Sequence, residues 1–180
     1  MKKHTNTRKL VTLGLFAAIS VILVLIIHVP VFPVVPFLEY DPADVPILIA
    51  TLMYGPCAGL IVTVVVSVLQ GLTVSVGSGV IGIIKHILAT GSYVIFGGII
   101  YKKVQTKKGL TVAIAFGALT STLFMILWNM WFTPLFMHAP TEVVMGMMIP
   151  FIIPFNLIKT FGNGIIAALI FAVLKKQKYE

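Results

Sequence analysis

The stretch that decides how this chain is read is IIPFNLIKTFGNG, residues 152–164. It sets an asparagine, Asn156, and a lysine, Lys159, three positions apart on one helical face inside a run that stays apolar to residue 174. A lysine placed deep in hydrocarbon costs about 2.5–3.5 kcal/mol or more. Residue 174 lies about 15 residues further on, or roughly 22 Å at the helical rise of ~1.5 Å per residue. That distance is too great for Lys159 to snorkel to the nearer basic flank. The ammonium then snorkels to the headgroups of the opposite side, pairs with an internal partner, or faces a polar pocket open to that side.

The rest of the chain sets the class. Its 180 residues are 59% hydrophobic and only 10% charged, with a mean hydropathy of +1.09, whereas soluble domains carry about 25% charged residues. The sequence predicts an integral membrane protein. The net charge of +8 is not a nucleic-acid patch, because eleven of the thirteen cations lie in three flanks of apolar segments, at residues 2–9, 102–108 and 175–178. One cysteine, Cys57, excludes an internal disulfide and any cysteine-based metal cluster. The basic start and the apolar run over residues 10–29 read as a retained first helix, since HVPVFPVVP follows instead of a small-residue cleavage site.

Apolar runs predict six spans, near residues 9–29, 43–54, 56–74, 80–101, 110–132 and 144–174. The second is short, and the sixth is long enough to kink at Pro150 and Pro154. Pro30, Pro33 and Pro36 predict an extended connection before FLEYDPADVP, and residues 133–142 predict a loop. The expected fold is an all-α bundle of six transmembrane helices forming one domain over residues 1–180. Six spans bring both termini and all three basic flanks to the cytoplasmic side. Glu39, Asp41, Asp44 and Glu142 then fall in external loops.

The same count places the candidate binding groups in the outer half of the membrane. Asn156 and Lys159 lead. Asn129, between Trp128 and Trp131, fits an interfacial belt or a hydrogen-bonding position in a cavity. Lys85 and His86 fit the same cavity, or the headgroups and neighbouring helices. Tyr40 and Phe37 fit a cover over the site or an aromatic belt. Amides, cations, aromatics and methionines suit a flat heteroaromatic ligand with several donors and acceptors. The sequence carries no catalytic constellation, no metal motif and no phosphate-binding loop. In the first span, Gly14 and Ala18 share one face, as do Ala17 and Ser20, and small residues let another helix approach closely in lipid.

LGLFAAIS (13–20), FLEYDPADVPILIATLMYGPCAG (37–59), LATGSYVIFGGIIYKK (88–103) and above all NMWFTPLFM (129–137) and IIPFNLIK (152–159) carry a resemblance over essentially the whole chain. The chain resembles the substrate-binding membrane subunits, the S components, of energy-coupling factor (ECF) vitamin transporters, most of all the riboflavin-specific branch. The resemblance implies riboflavin as transported ligand, with no cofactor. It implies hydrogen bonds to that ligand from Asn129, Asn156 and Lys159, and a lining contact from Leu38 and its neighbour Tyr40. It implies Gly14 and Ala18 as the face that packs on a membrane coupling subunit, the T component, driven by two cytoplasmic ATPases. It also implies that the subunit tilts to carry its site inward. Two features depart from the family pattern. Gly14 stands where alanine is common, and GIIKHILAT puts Lys85 and His86 where uncharged residues are usual. The added positive charge fits an anionic ligand such as FMN, or the headgroups.

Overall fold

The computed structural model describes residues 2–137 and 140–177, with side chains described from residue 7 and not at 136–137. Lys178 and the side chains of Lys2 and Lys3, in the terminal basic flanks, lie outside that description. Helix α1 covers Lys2–Ile26. A hairpin follows, with β1 at Val29–Pro30 antiparallel to β2 at Glu39–Tyr40. Then come α2 (Asp44–Tyr54), α3 (Pro56–Leu72), α4 (Gly79–Lys103), α5 (Lys107–Trp131), the short α6 (Thr133–Met137) and α7 (Thr141–Met147), and α8 (Ile153–Gln177).

Local chemistry explains the boundaries. The turn between α2 and α3 needs Gly55, whose φ is 90°, a backbone that side chains with a Cβ resist. Pro56 then opens α3, where its missing N–H costs nothing. Thr106 caps α5 by accepting from the backbone N–H of Gly109 at 3.0 Å. The long last apolar run divides where expected. A wide π turn, Met148–Ile152, joins α7 to α8 around Pro150, because a proline inside a helix removes one ladder hydrogen bond.

Two expectations are corrected. Residues 31–38 are not extended. They fold back in successive turns, with Val35 N–H donating to Phe32 O at 2.9 Å and Leu38 N–H to Val35 O at 3.0 Å. Their prolines fix φ but leave room for turns. Residues 133–142 are not wholly loop, since α6 and the start of α7 fall within them.

Four segments are long and apolar enough to cross a membrane among the described residues: Thr7–Ile26, Val76–Lys103, Lys107–Trp131 and Thr141–Gln177. Helices α2 and α3 are shorter, at 11 and 17 residues. The main core is shared by α1 (Leu13, Ala17), α2 (Ile47, Ala50), α3 (Val62, Val66), α4 (Tyr93, Val94), α5 (Ala118) and α8 (Ala167). A second cluster packs the turns after β1 against α7 and α8, through Val35, Leu38, Val144, Ile152 and Phe155. Leu15, Ile22, Leu119, Leu123, Ile158 and Leu169 point outward in an exposed apolar surface, which lipid solvates and water does not.

Helix α4 gives the bundle its two ends. Lys102 and Lys103 close one end of it. There Lys175 of α8 donates to the Tyr101 hydroxyl at 3.3 Å. Lys9 of α1 lies 5.7 Å over the Tyr54 ring, at the close of α2. The basic flanks therefore gather at one end, and the hairpin and the cavity described next lie at the other.

A polar cavity as candidate ligand-binding site

A cavity of about 210 Å³ opens where the hairpin meets the ends of α1, α2, α3, α4, α5 and α8. Six of the residues expected to form or cover the site line it: Phe37, Leu38, Lys85, His86, Asn156 and Lys159. Tyr40 and Asn129 do not. Asn129 stands one turn beyond Met125, which does line the cavity, and its amide is engaged on both sides. Its nitrogen donates to Met125 O at 2.7 Å and its oxygen accepts from Thr133 Oγ1 at 2.8 Å. Tyr40 instead fastens the hairpin to α8, donating to Asn163 Oδ1 at 2.8 Å.

The cation of Lys159 has an internal partner. Its Nζ donates to Asp41 Oδ2 at 2.6 Å. Asp41 is only 5% exposed and is held from three sides. Its Oδ1 accepts from Ala43 N–H at 3.1 Å, its backbone carbonyl accepts from Asn163 Nδ2 at 3.0 Å, and Lys159 completes the set. Asp44 forms a second centre. Its Oδ1 accepts from Thr90 Oγ1 at 2.7 Å and lies 3.3 Å from His86 Nε2. The other ring nitrogen of His86 is 2.7 Å from Ser67 Oγ. These contacts tie the start of α2 to α3, α4 and α8.

Asp41 and Asp44 correct the expectation of four acids in external loops. Both are buried in the cavity wall. Their DPAD spacing sets the two carboxylates on either side of the α2 start, one toward α8 and the other toward α4. Hydropathy alone reads such a segment as solvated loop. The signal that could have found them was the need of Lys159 for a counter-charge.

Asn156 donates through Nδ2 to Ile152 O at 2.7 Å. Its second N–H and its carbonyl oxygen meet no partner among the described residues, and neither do the two remaining protons of Lys159. Fixed amide and ammonium groups with spare capacity, beside Leu38, Met125 and Phe155, can orient a flat polar ligand and cover its faces. Among the described residues no group of three or more His, Cys, Asp or Glu could hold a metal ion.

On α1, Gly14 and Ala18 are exposed while Ala17 and Ser20 are buried. The two small-residue faces therefore separate, one turned outward and one packed inside.

A family profile for the ECF transporter substrate-specific component matches residues 8–173. The chain is 32% identical to the riboflavin transporter FmnP of Bacillus subtilis, over 94% of this chain and 93% of that protein. It is 30% identical to the riboflavin transporter RibU of Staphylococcus aureus, over 96% of this chain and 90% of that protein. A solved structure described as the S component of a bacterial ECF transporter superposes with a TM-score of 0.82 at 31% identity, covering 97% of this chain and 99% of the other. Sequence, fold and the near-complete extent of each match lead to one conclusion: the chain belongs to the family of ECF transporter substrate-specific components.

Proposed function

We infer that this chain is the riboflavin-binding S component of an ECF importer: a transport subunit, not an enzyme. The observation that carries the reading is the cavity in which Asn156 and Lys159 converge with spare hydrogen-bonding capacity, in a chain similar along nearly its whole length to riboflavin transporters. The isoalloxazine ring presents flat faces to apolar side chains and carbonyl and nitrogen edges to Asn156 and Lys159. Asn129 has one N–H and one oxygen lone pair left for a ligand that reaches one turn further along α5. Leu38 covers the ring, and Tyr40 holds the hairpin over it.

The bundle is one domain with six membrane crossings. Helix α2 has 11 residues, about 16 Å of helix, too short to cross alone. Residues 31–43 complete its crossing by folding into the outer half, where irregular backbone survives because it is buried and lines a polar cavity. The gathering of basic residues at the opposite end supports cytoplasmic termini, so the cavity opens outward.

Titration of the detergent-purified protein with riboflavin tests this. Saturable quenching of flavin fluorescence, and a yellow preparation whose released ligand has the mass of riboflavin, is the expected result. A colourless protein that does not quench added riboflavin refutes the assignment.

The chain has no ATPase motif, so uptake needs partners: a T component in the membrane and two cytoplasmic ATPases. Gly14 and Ala18 form the docking face. Leucine at either position is expected to leave riboflavin affinity unchanged, because a Cβ at Gly14 meets nothing within 4 Å, and to abolish cellular uptake. Uptake at the unmodified rate in both variants would remove α1 as the docking face.

A further inference from the structure

The network around Asp44 fixes a proton count as well as a set of distances. Ser67 Oγ lies 2.6 Å from Thr63 O and 2.7 Å from His86 Nδ1. A hydroxyl has one proton to give, and a carbonyl oxygen only accepts. Two oxygens 2.6 Å apart need that proton between them, so Ser67 donates to Thr63 O and accepts from His86. Nδ1 therefore carries a hydrogen. The other end of the ring makes the same demand. Thr90 Oγ1 is 2.7 Å from Asp44 Oδ1 and 3.4 Å from His86 Nε2, and the shorter contact takes its proton. Nε2 then faces two acceptors, the Thr90 oxygen and Asp44 Oδ1 at 3.3 Å, and meets them only with a hydrogen of its own. Gln70, one turn along α3 from Ser67, lines the cavity without bonding to His86.

We propose that His86 is a positioning residue whose second ring proton latches the start of α2 to α3 and α4. Carboxylic acids give up a proton more readily than imidazolium ions, so the proton rests on the ring and Asp44 stays a carboxylate. Without it, a bare ring nitrogen faces either the Ser67 oxygen or the Asp44 carboxylate, and one of the two contacts opens. The effect reaches Lys159 through the chain. Asp41 lies just ahead of Asp44 in sequence, and its Oδ2 holds Lys159 Nζ at 2.6 Å. A loosened α2 start therefore loosens the ammonium as well. Charge agrees with the assignment. The lining holds three carboxylates, Glu39 of the hairpin with Asp41 and Asp44, against the ammonium groups of Lys85 on α4 and Lys159 on α8, and a doubly protonated His86 brings the signs level. His28, which follows α1, also lines the cavity, but its Nδ1 lies 3.1 Å from Val24 O and needs one hydrogen only. The phenols of Tyr40 and Tyr93 belong to a group that ordinarily keeps its proton to about pH 10. Helix α5 contributes Ser121 and Met125 to the lining and no titratable group among the described residues.

Folding captures the second proton, so stability falls as the pH rises through the range in which the unfolded chain has released it. The test follows thermal unfolding and riboflavin affinity of the full-length protein in detergent from about pH 6 to about pH 9, across the upper part of the ordinary histidine range. The unmodified protein is expected to unfold at progressively lower temperature and to bind riboflavin about tenfold more weakly at the alkaline end, the worth of one hydrogen bond. His86→Gln offers Asp44 an amide donor that does not titrate, so its unfolding should be level and its affinity should vary by no more than about twofold over the same range. A histidine that only packs would change the level of affinity and not its slope with pH. Lys85→Met and His28→Gln remove the other groups within reach and should keep the slope. In nitrogen NMR of histidine-labelled protein at about pH 7, where an unpartnered histidine is mostly neutral, one ring should have both nitrogens protonated and should vanish in His86→Gln. A flat profile in the unmodified protein, the same slope in His86→Gln, a slope lost in Lys85→Met or His28→Gln, or a neutral His86 ring at that pH each overturns the latch. The affinity measurement alone rests on the flavin reading. An unmodified protein that binds no riboflavin overturns that reading, and the unfolding slope and the ring signal then decide the latch by themselves.

Discussion

Lys159→Met is expected to lose both stability and ligand, and pairing it with Asp41→Asn is expected to return the stability alone. In the single variant the Asp41 carboxylate stays buried with its charged partner gone. Removing one member of a buried ion pair costs about 3–5 kcal/mol, and the 2.6 Å contact with 18% and 7% side-chain exposure qualifies as such a pair. The double variant puts two neutral groups at the contact, and the native hydrogen bonds to Asp41 from Ala43 N–H and Asn163 Nδ2 are ones an asparagine still accepts. Thermal unfolding should therefore recover most of the loss. Riboflavin affinity should not recover. A hydrogen bond from a charged donor is worth about 1.5–3 kcal/mol, so binding is expected to stay weaker by about tenfold to a hundredfold. Asn156→Ala offers the contrast. It strands no charge, since its bound N–H only returns to its own helix at Ile152 O, so it should weaken riboflavin with little change in unfolding. A double variant that binds as tightly as the unmodified protein would make Lys159 a structural residue. A single variant as stable as the unmodified protein would show that Asp41 does not depend on it.

This outcome bears on what the sequence could and could not reveal. The helical class, the long spans and the oddity of Lys159 were legible because they are local. A lysine is conspicuous in an apolar run, and Pro56 and Gly55 mark a turn without help from the rest of the fold. The partners were not legible, because they lie far away in sequence. Lys159 meets Asp41 across 118 positions, and Tyr40 meets Asn163 across 123. The acids stand in a proline-rich stretch that hydropathy assigns to water. Only the fold shows that the hairpin turns inward and brings them to the lysine and histidine. Gln70 was missed for the opposite reason. A glutamine near a helix end is unremarkable until its oxygen proves to have no partner among the described residues.

The glycines of α5 and α8 show the same limit, and they carry the second large effect. Two of them, Gly117 and Gly164, share one task that no local pattern announces, which is to seat Tyr93. A Cβ at Gly164 would collide with the Tyr93 hydroxyl, and a Cβ at Gly117 would collide with the edge of its ring. Tyr93 is 5% exposed, and its hydroxyl has no hydrogen-bond partner among the described residues. Gly164→Ala is therefore expected to destabilise the bundle by about 1–3 kcal/mol, the usual cost of overpacking a filled core. The hardest collision at Gly164 is with the hydroxyl, while the Ile114 Cγ2 methyl, the end of a side chain that can shift, lies 2.9 Å and the ring carbon behind the hydroxyl 3.3 Å from the new Cβ. Tyr93→Phe should thus relieve most of the strain, and thermal unfolding of Gly164→Ala/Tyr93→Phe should return close to that of Tyr93→Phe alone. At Gly117 the collision is with the ring, so Tyr93→Phe should rescue nothing there. Rescue at both positions, or at neither, would mean that the glycines do not divide the seat between hydroxyl and ring. The asymmetry matters for transport because Tyr93 sits where α4, α5 and α8 meet, one turn below Ala89 and Thr90, which line the cavity. A residue pushed there displaces the helix that presents Lys85 and His86, so a loss of packing at Gly164 should also appear as weaker riboflavin binding, restored together with stability by Tyr93→Phe.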